Sequence, residues 1–161
     1  VEVRLEKPAC PGEPNGELIA LPSGGTGPFI YRWNDPNLNG QYLTGLSAGI
    51  YPLEVQDNLG CVSFGSGTVI ETAPKIRMPT ALNTGQTPDL FEGVSNCTVE
   101  FQLYVYNRWG QLVYSGKTGW DGTLSGDPAP VGTYSYSIIY TYFLEGKQEI
   151  NSMKGSFLLI R

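Results

Sequence analysis

The stretch Val99-Glu100-Phe101-Gln102-Leu103-Tyr104-Val105-Tyr106 puts an apolar residue at every second position, Val99, Phe101, Leu103 and Val105. A period of two is the pattern of a strand with one buried face. Asn107-Arg108-Trp109-Gly110 then turns the chain, and Gln111-Leu112-Val113-Tyr114 returns. The sequence therefore predicts a β-hairpin here. Nowhere does an apolar 3.6-residue period persist for about ten residues, so the expected class is all-β.

Outward from the hairpin the same reading repeats. Thr133 to Phe143 reads as a long strand with Tyr134, Tyr136, Ile138, Tyr140 and Tyr142 on one face. Glu145-Gly146-Lys147 is a turn, Ser156 to Ile160 a closing strand, and residues 79–96 are irregular. Toward the N-terminus, strands are predicted at Val1–Glu6, Leu18–Leu21, Phe29–Trp33, Gly49–Val55 and from Cys61 onward. Phe29, Tyr31 and Trp33 share a face, and Tyr51, Leu53 and Val55 point inward. Pro52 marks its strand as an edge or a bulge, because proline donates no ladder bond. Glu71-Thr72-Ala73-Pro74 reads as a linker. Gly49-Ile50-Tyr51 is echoed by Gly132-Thr133-Tyr134, each after a tryptophan near an aspartate: Trp33 before Asp35, and Trp120 before Asp121. The expectation is two tandem immunoglobulin-like β-sandwich domains, residues 1–74 and 75–161.

Composition agrees with short strands and tight turns. The chain of 161 residues is 40% apolar and 16% charged, with 21 glycines and 12 prolines. Its net charge of −5 lacks the basic footprint of a nucleic-acid binder and the polybasic patch of a membrane-surface protein. Residues 1–74 carry three basic and eight acidic residues, and residues 75–161 carry seven of each. No apolar run approaches the roughly 20 residues that span a bilayer as a helix. The chain opens at Val1 without an initiator methionine or signal peptide, so it is expected to be a mature form or a fragment from which any targeting segment is gone.

The sequence offers little for catalysis. It contains no histidine, which excludes His-based triads and His metal clusters, and no serine sits in GxSxG. The chain is expected not to be an enzyme. No cofactor is expected, with calcium the open alternative. Asp57-Asn58 and Asp121-Gly122 could supply oxygen ligands, but the same residue types organise turns through their own backbone. Gly24-Gly25-Thr26-Gly27 lacks the Lys-Ser/Thr ending of a phosphate loop. The tyrosine stripe over 134–142 is read as core and cross-strand pairs in preference to a sugar platform. Asn96-Cys97-Thr98 is a three-residue match to a glycosylation triplet. The three cysteines include no CxxC pair. A bridge between Cys10 and Cys61 is expected in an oxidising compartment, worth about 4 kcal/mol by loop-closure entropy. Cys97 is left as a buried thiol or a link to a second chain.

Several unusual words occur in order through the second half: Tyr106-Asn107-Arg108-Trp109-Gly110, Gly119-Trp120-Asp121-Gly122, Gly132-Thr133-Tyr134-Ser135-Tyr136, and Lys154-Gly155-Ser156-Phe157-Leu158-Leu159-Ile160-Arg161. Residues 76–161 thereby resemble the gliding motility-associated C-terminal domain, the type B sorting domain of the type IX secretion system in Bacteroidota. That family opens with a proline and an FTPNGDG-type loop. Residues 78–91 keep Pro79 but not the Asp-Gly core, so an ion or partner contact through that loop is not carried over. Residues 5–64 resemble the SprB-type repeat of a giant gliding adhesin through Cys10, Asn15-Gly16, Gly24-Gly25-Thr26-Gly27-Pro28-Phe29-Ile30-Tyr31-Arg32-Trp33, Leu46-Ser47-Ala48-Gly49-Ile50-Tyr51 and Asp57-Asn58-Leu59-Gly60-Cys61. The paired cysteine ends of that repeat match the expected Cys10–Cys61 bridge.

These resemblances imply a secreted protein at the cell surface, associated with the outer membrane. The second half would carry it across and dock on an outer-membrane β-barrel of the type IX secretion system, and the first would be a stalk or adhesin module. The sorting and docking residues implied are Arg108, Trp109, Gly110, Trp120, Asp121, Gly122, Lys154, Gly155 and Arg161. At least one tryptophan is expected to pack against the sandwich with Arg108 stacked near it, while Arg108, Lys154 and Arg161 stay exposed as the address. The alternative is a self-assembling structural subunit of an extracellular filament or sheath. Its partners would be other surface proteins or copies of itself, and its leading strand at Val1 would add to a neighbour's sheet edge.

Overall fold

The structure, a computed structural model, describes residues 1–85 and 89–161. Among the described residues there is no helix, and the protein is all-β. It divides into two compact units, Val1–Ala73 and Pro74–Arg161. The reading of residues 78–91 as an opening loop falls partly on residues 86–88, outside the described residues.

The first unit has six strands: β1 Glu2–Lys7, β2 Gly16–Leu21, β3 Ile30–Trp33, β4 Tyr42–Leu46, β5 Gly49–Gln56 and β6 Val62–Val69. They form two antiparallel three-stranded sheets, ordered β1-β2-β4 and β3-β5-β6. Alternation along β2 and β5, with Trp33 of β3, Val69 of β6 and a register shift in β4 that brings Leu43 and Leu46 to the same side, gathers Leu18, Ala20, Trp33, Leu43, Leu46, Leu53, Val55 and Val69 into one core. Trp33 closes it, its indole N–H donating to the Gly40 carbonyl at 3.0 Å.

Pro52 does not mark an edge. Its strand, β5, is the central strand of its sheet. The proline is tolerated because β3 ends its pairing at Trp33 opposite Leu53. Asn34 still donates to the Pro52 carbonyl at 3.1 Å, and only the return bond, which proline cannot make, is lost.

The cysteine expectation is also corrected. Cys61 is a free, exposed thiol, so no Cys10–Cys61 bridge forms. Cys10 is buried and disulfide-bonded. The Cys61 amide N–H is committed to the turn before β6, where it donates to Asp57 Oδ1 at 2.8 Å.

Asp57 is the buried acid of this unit. Its Oδ1 also accepts from the Leu59 amide at 3.0 Å and its Oδ2 from the Thr26 amide at 3.2 Å. One carboxylate thus ties the loop before β3 to the loop before β6. The Cys61 amide, helped by those of Thr26 and Leu59, holds the carboxyl below the usual aspartate range against the opposing effect of burial. A depressed pKa means the native state binds fewer protons than the unfolded chain. The stabilisation is therefore present above about pH 4 and lost as pH falls through the native value. In calorimetry, Asp57→Ala is expected to lower the melting temperature at pH 7 by several degrees and to flatten its fall on acidification. An equal acid dependence in both proteins would remove Asp57 from this role.

The second unit is built on one five-stranded sheet. Its strands are β7 Ile76–Arg77, β8 Ala81–Asn83, β9 Val94–Ser95, β10 Glu100–Tyr106, β11 Leu112–Gly116, β12 Thr123–Leu124, β13 Asp127–Pro128, β14 Gly132–Leu144 and β15 Lys147–Ile160. The main sheet runs β11-β10-β14-β15-β8, and β7–β9 and β12–β13 are short antiparallel pairs. All neighbours in the main sheet are antiparallel except β8, which lies parallel to β15. Leu103, Val105, Tyr134, Tyr136, Ile138, Phe157 and Leu159 line its buried face. Cys97 is buried, as one of its two expected states had it, but it is disulfide-bonded and not a thiol.

Two elements differ from the sequence reading. The last strand begins at Lys147 instead of Ser156. Lys147-Gln148-Glu149-Ile150-Asn151-Ser152 shows no alternation because this part of the hairpin is wet on both sides. Its backbone is ordered by pairing with β14 without a register shift. The irregular segment 79–96 also contributes Phe91 to the core, fully buried. Phe91 and Trp120 exchange backbone bonds of 2.7 and 3.1 Å, and the Phe91 ring stacks on Phe157 at 3.6 Å between centroids.

Candidate functional site

The turn between β10 and β11 is organised by Asn107. Its Oδ1 accepts the amides of Trp109 and Gln111, both at 3.0 Å, and its Nδ2 donates to Gln111 Oε1 at 2.8 Å. Its backbone amide bonds the Gln111 carbonyl, and the Gly110 amide bonds the Asn107 carbonyl. Gly110 takes a positive φ of 79°. This Asx-type lock leaves Arg108 and Trp109 to project from the turn. Trp109 is 70% exposed, and the Arg108 guanidinium lies 4.3 Å from the indole centroid. An exposed cation–π contact of this kind is worth about 0.5–1 kcal/mol.

The pair forms one wall of an open cleft of about 580 Å³. Val113, Leu124, Pro130 and Val131 supply apolar lining, and Tyr134 lies at its base. The Tyr134 hydroxyl donates to the Pro130 carbonyl at 2.7 Å. Burial pushes the phenol up, while the charges of Arg161 and Arg108 pull it down. Two cations far apart in this unit's sequence thus act on one phenol. Arg161 Nη2 donates to the Ala129 carbonyl, and the Ala129 amide donates to the Gly122 carbonyl at 2.9 Å. Among the described residues, Arg108 has no carboxylate within ion-pair distance. The cleft therefore presents one free cation and an apolar surface, while Arg161 is tethered outside its lining.

The structure sorts the sequence-derived residues into three places. Arg108 and Trp109 line the cleft on the turn that Gly110 closes, with the charge of Arg161 acting on Tyr134. Trp120, Asp121 and Gly122 lie behind it as structure. Trp120 is 1% exposed, packs on Tyr134 at 5.2 Å and on Phe157 at 6.2 Å between centroids, and donates from its indole to the Thr123 carbonyl at 2.9 Å. Asp121 Oδ1 accepts both the amide and the hydroxyl of Thr123. Gly122 has φ of +78°, and a Cβ there would lie 2.8 Å from Thr84, so only glycine fits without strain. Lys154 and Gly155 belong elsewhere. Lys154 is exposed on β15 opposite Ser137, and Gly155 lies under the Tyr136 ring. At about 3.3 Å per residue, Lys154 is roughly 23 Å along the strand from Arg161.

The tryptophan expectation resolves unequally. Trp120 is the one that packs, and Arg108 stacks on the exposed Trp109 instead. Tyr134 as base of the cleft, and Val131 on its rim, escaped the sequence reading, which placed Tyr134 only in the core stripe. For calcium, Asp57 and Asp121 have carboxylate oxygens engaged by backbone amides. Among the described residues no group of three or more His, Cys, Asp or Glu is placed to hold a metal.

The CHU_C type IX secretion signal domain model matches residues 80–160, half of the chain. The chain belongs to that family. The signal domain thus runs from just before β8 to the last residue of β15 and contains every residue that lines the cleft. A type IX secretion signal marks export, so the protein is secreted or displayed at the cell surface. Among solved structures the chain is similar to dimeric latent PorU from Porphyromonas gingivalis, at 15% identity over 99% of this chain and 20% of that one. The chain spans about a fifth of that protein, at a TM-score of 0.35. No curated protein matches the chain.

Proposed function

We propose that this is a non-enzymatic surface protein whose second unit directs type IX secretion by docking, through the Arg108–Trp109 cleft, on an outer-membrane β-barrel of the secretion system. The first unit is a stalk or adhesin module resembling the SprB-type repeat, and each unit is read as an immunoglobulin-like sandwich. The observation that carries the proposal is the coincidence of the signal-domain match with the cleft. Within that domain the cleft leaves a large aromatic ring and a free cation in water with their supporting turn locked. Aromatic and arginine side chains are the usual anchors of protein interfaces.

The test fuses the full chain behind a reporter carrying an inner-membrane export leader. The fusion is expressed in a bacterium with a type IX system and in the same strain with that system disabled. The reporter is expected at the surface or in the medium only with the system intact, and in the periplasm otherwise. A reporter that stays periplasmic in both strains would refute the sorting role.

A further inference from the structure

The β14–β15 hairpin closes on Glu145-Gly146, with φ of 50° and 76°, the signature of a type I′ turn. Leu144 and Lys147 are therefore its first hydrogen-bonded pair. Hydrogen-bonded and non-bonded pairs alternate along an antiparallel ladder, so the odd-numbered residues of β15 exchange bonds with β14. The even-numbered ones turn their N–H and C=O groups to the opposite edge. Two bonds confirm this parity: the Leu158 amide reaches the Thr80 carbonyl at 3.0 Å, and the Ile160 carbonyl accepts the Thr84 amide at 3.1 Å.

Neighbour β8 covers that edge only at Leu158–Ile160. Among the described residues no strand pairs with the edge from Lys147 to Phe157. Gln148, Ile150, Ser152, Lys154 and Ser156 thus direct their backbone groups outward, and all five residues are exposed. The edge runs about 35 Å. It lacks proline, and its pairing with β14 has no bulge, so two of the usual guards against strand addition are missing.

We infer that this edge pairs with the same edge of a second copy of the chain, antiparallel about a two-fold axis at Ser152. In that register Gln148 meets Ser156 of the second copy, Ile150 meets Lys154, and Ser152 meets itself. Each outward-facing residue then gains both of its backbone bonds. The charges also suit the register. Lys147 falls opposite Phe157, Glu149 opposite Gly155 and Lys154 opposite Ile150, so no like charges face each other. The Lys154 stem covers Ile150, which is 67% exposed in one copy and shares its face with exposed Ile139 and Phe143. This contact is separate from the Arg108 cleft and independent of the secretion role.

The test uses the full chain with Cys61→Ser as background. Light scattering over a concentration series is expected to show a monomer giving way to a species of doubled mass. Under mild oxidation Ser152→Cys should link into a covalent dimer about tenfold faster than Gln148→Cys, because only Ser152 meets its own copy, near 5.5 Å between Cα atoms. Ile150→Pro removes one outward N–H, leaves the bonds to β14 intact, and should stay monomeric with an unchanged circular dichroism spectrum. A monomer at every concentration overturns the proposal, whether the edge is then free or serves another protein. Equal linking rates at Ser152 and Gln148 overturn the register.

Discussion

Trp120→Ala is expected to destabilise the second unit severely. The indole is enclosed by Tyr134, Phe157 and the backbone exchange with Phe91, so its removal leaves a cavity that the β-sheet cannot close. Large-to-small changes of a buried aromatic cost roughly 3–5 kcal/mol. A domain of this size has about 5–15 kcal/mol in total, so the loss takes a third or more of a mid-range margin. The change also frees the Thr123 carbonyl from its indole donor, loosening the turn that holds Ala129 and, through it, Arg161. Urea unfolding followed by far-ultraviolet circular dichroism should show the midpoint collapse. Trp120→Phe keeps a ring against Tyr134 and Phe157, loses the hydrogen bond, and should cost about 1–2 kcal/mol. An unchanged midpoint for Trp120→Ala would mean that the aromatic cluster is not the keystone of this unit. In the export assay any loss for Trp120→Ala should follow its loss of stability, which separates it from the cleft variants below.

The all-β character was legible because Glu100–Tyr106 and Gly132–Ile138 each bury one face, and burial on one face writes a period of two into the side chains. Legibility ended where a residue's place depends on partners distant in sequence. Lys147–Ser152 is strand because β14 extends beside it, and its own side chains carry no such signal. Phe91 is a core residue inside an irregular segment because Trp120 offers it two backbone bonds. Pro52 looked like an edge marker because the early end of β3 cannot be read from β5. The cysteine pairing failed for a related reason: loop-closure entropy ranks loop lengths but not directions, and Cys61 points into solvent from a turn fixed by Asp57. At the cleft, the words around Arg108 and Trp120 were conspicuous, yet they did not say which indole is buried. The difference lies in the locks: Asn107 holds a turn that thrusts Trp109 outward, whereas Asp121 and Gly122 fold the chain back so that Trp120 turns in.

Arg108→Ala and Trp109→Ala should abolish or strongly reduce surface delivery while leaving the fold intact. Both side chains sit on an exposed turn whose geometry is set by Asn107 and Gly110, and neither contributes to the buried core. Surface changes of this kind usually alter stability by about 0.5 kcal/mol or less, and loss of their mutual contact adds up to about 1 kcal/mol. The unfolding midpoint should therefore stay near that of the parent. Recognition is different, because truncating a central aromatic or arginine anchor commonly costs at least about 2 kcal/mol of binding, a thirtyfold or larger loss. Arg108→Lys is the informative companion. It keeps the charge but loses the planar guanidinium that stacks on the indole and can hold a carboxylate with two bonds. If the partner reads only charge, Arg108→Lys is exported like the parent. If it reads the stacked plane, Arg108→Lys behaves like Arg108→Ala. Full surface delivery of a folded Arg108→Ala, Trp109→Ala double variant would exclude the cleft as the address and leave the sorting signal to another face of the domain.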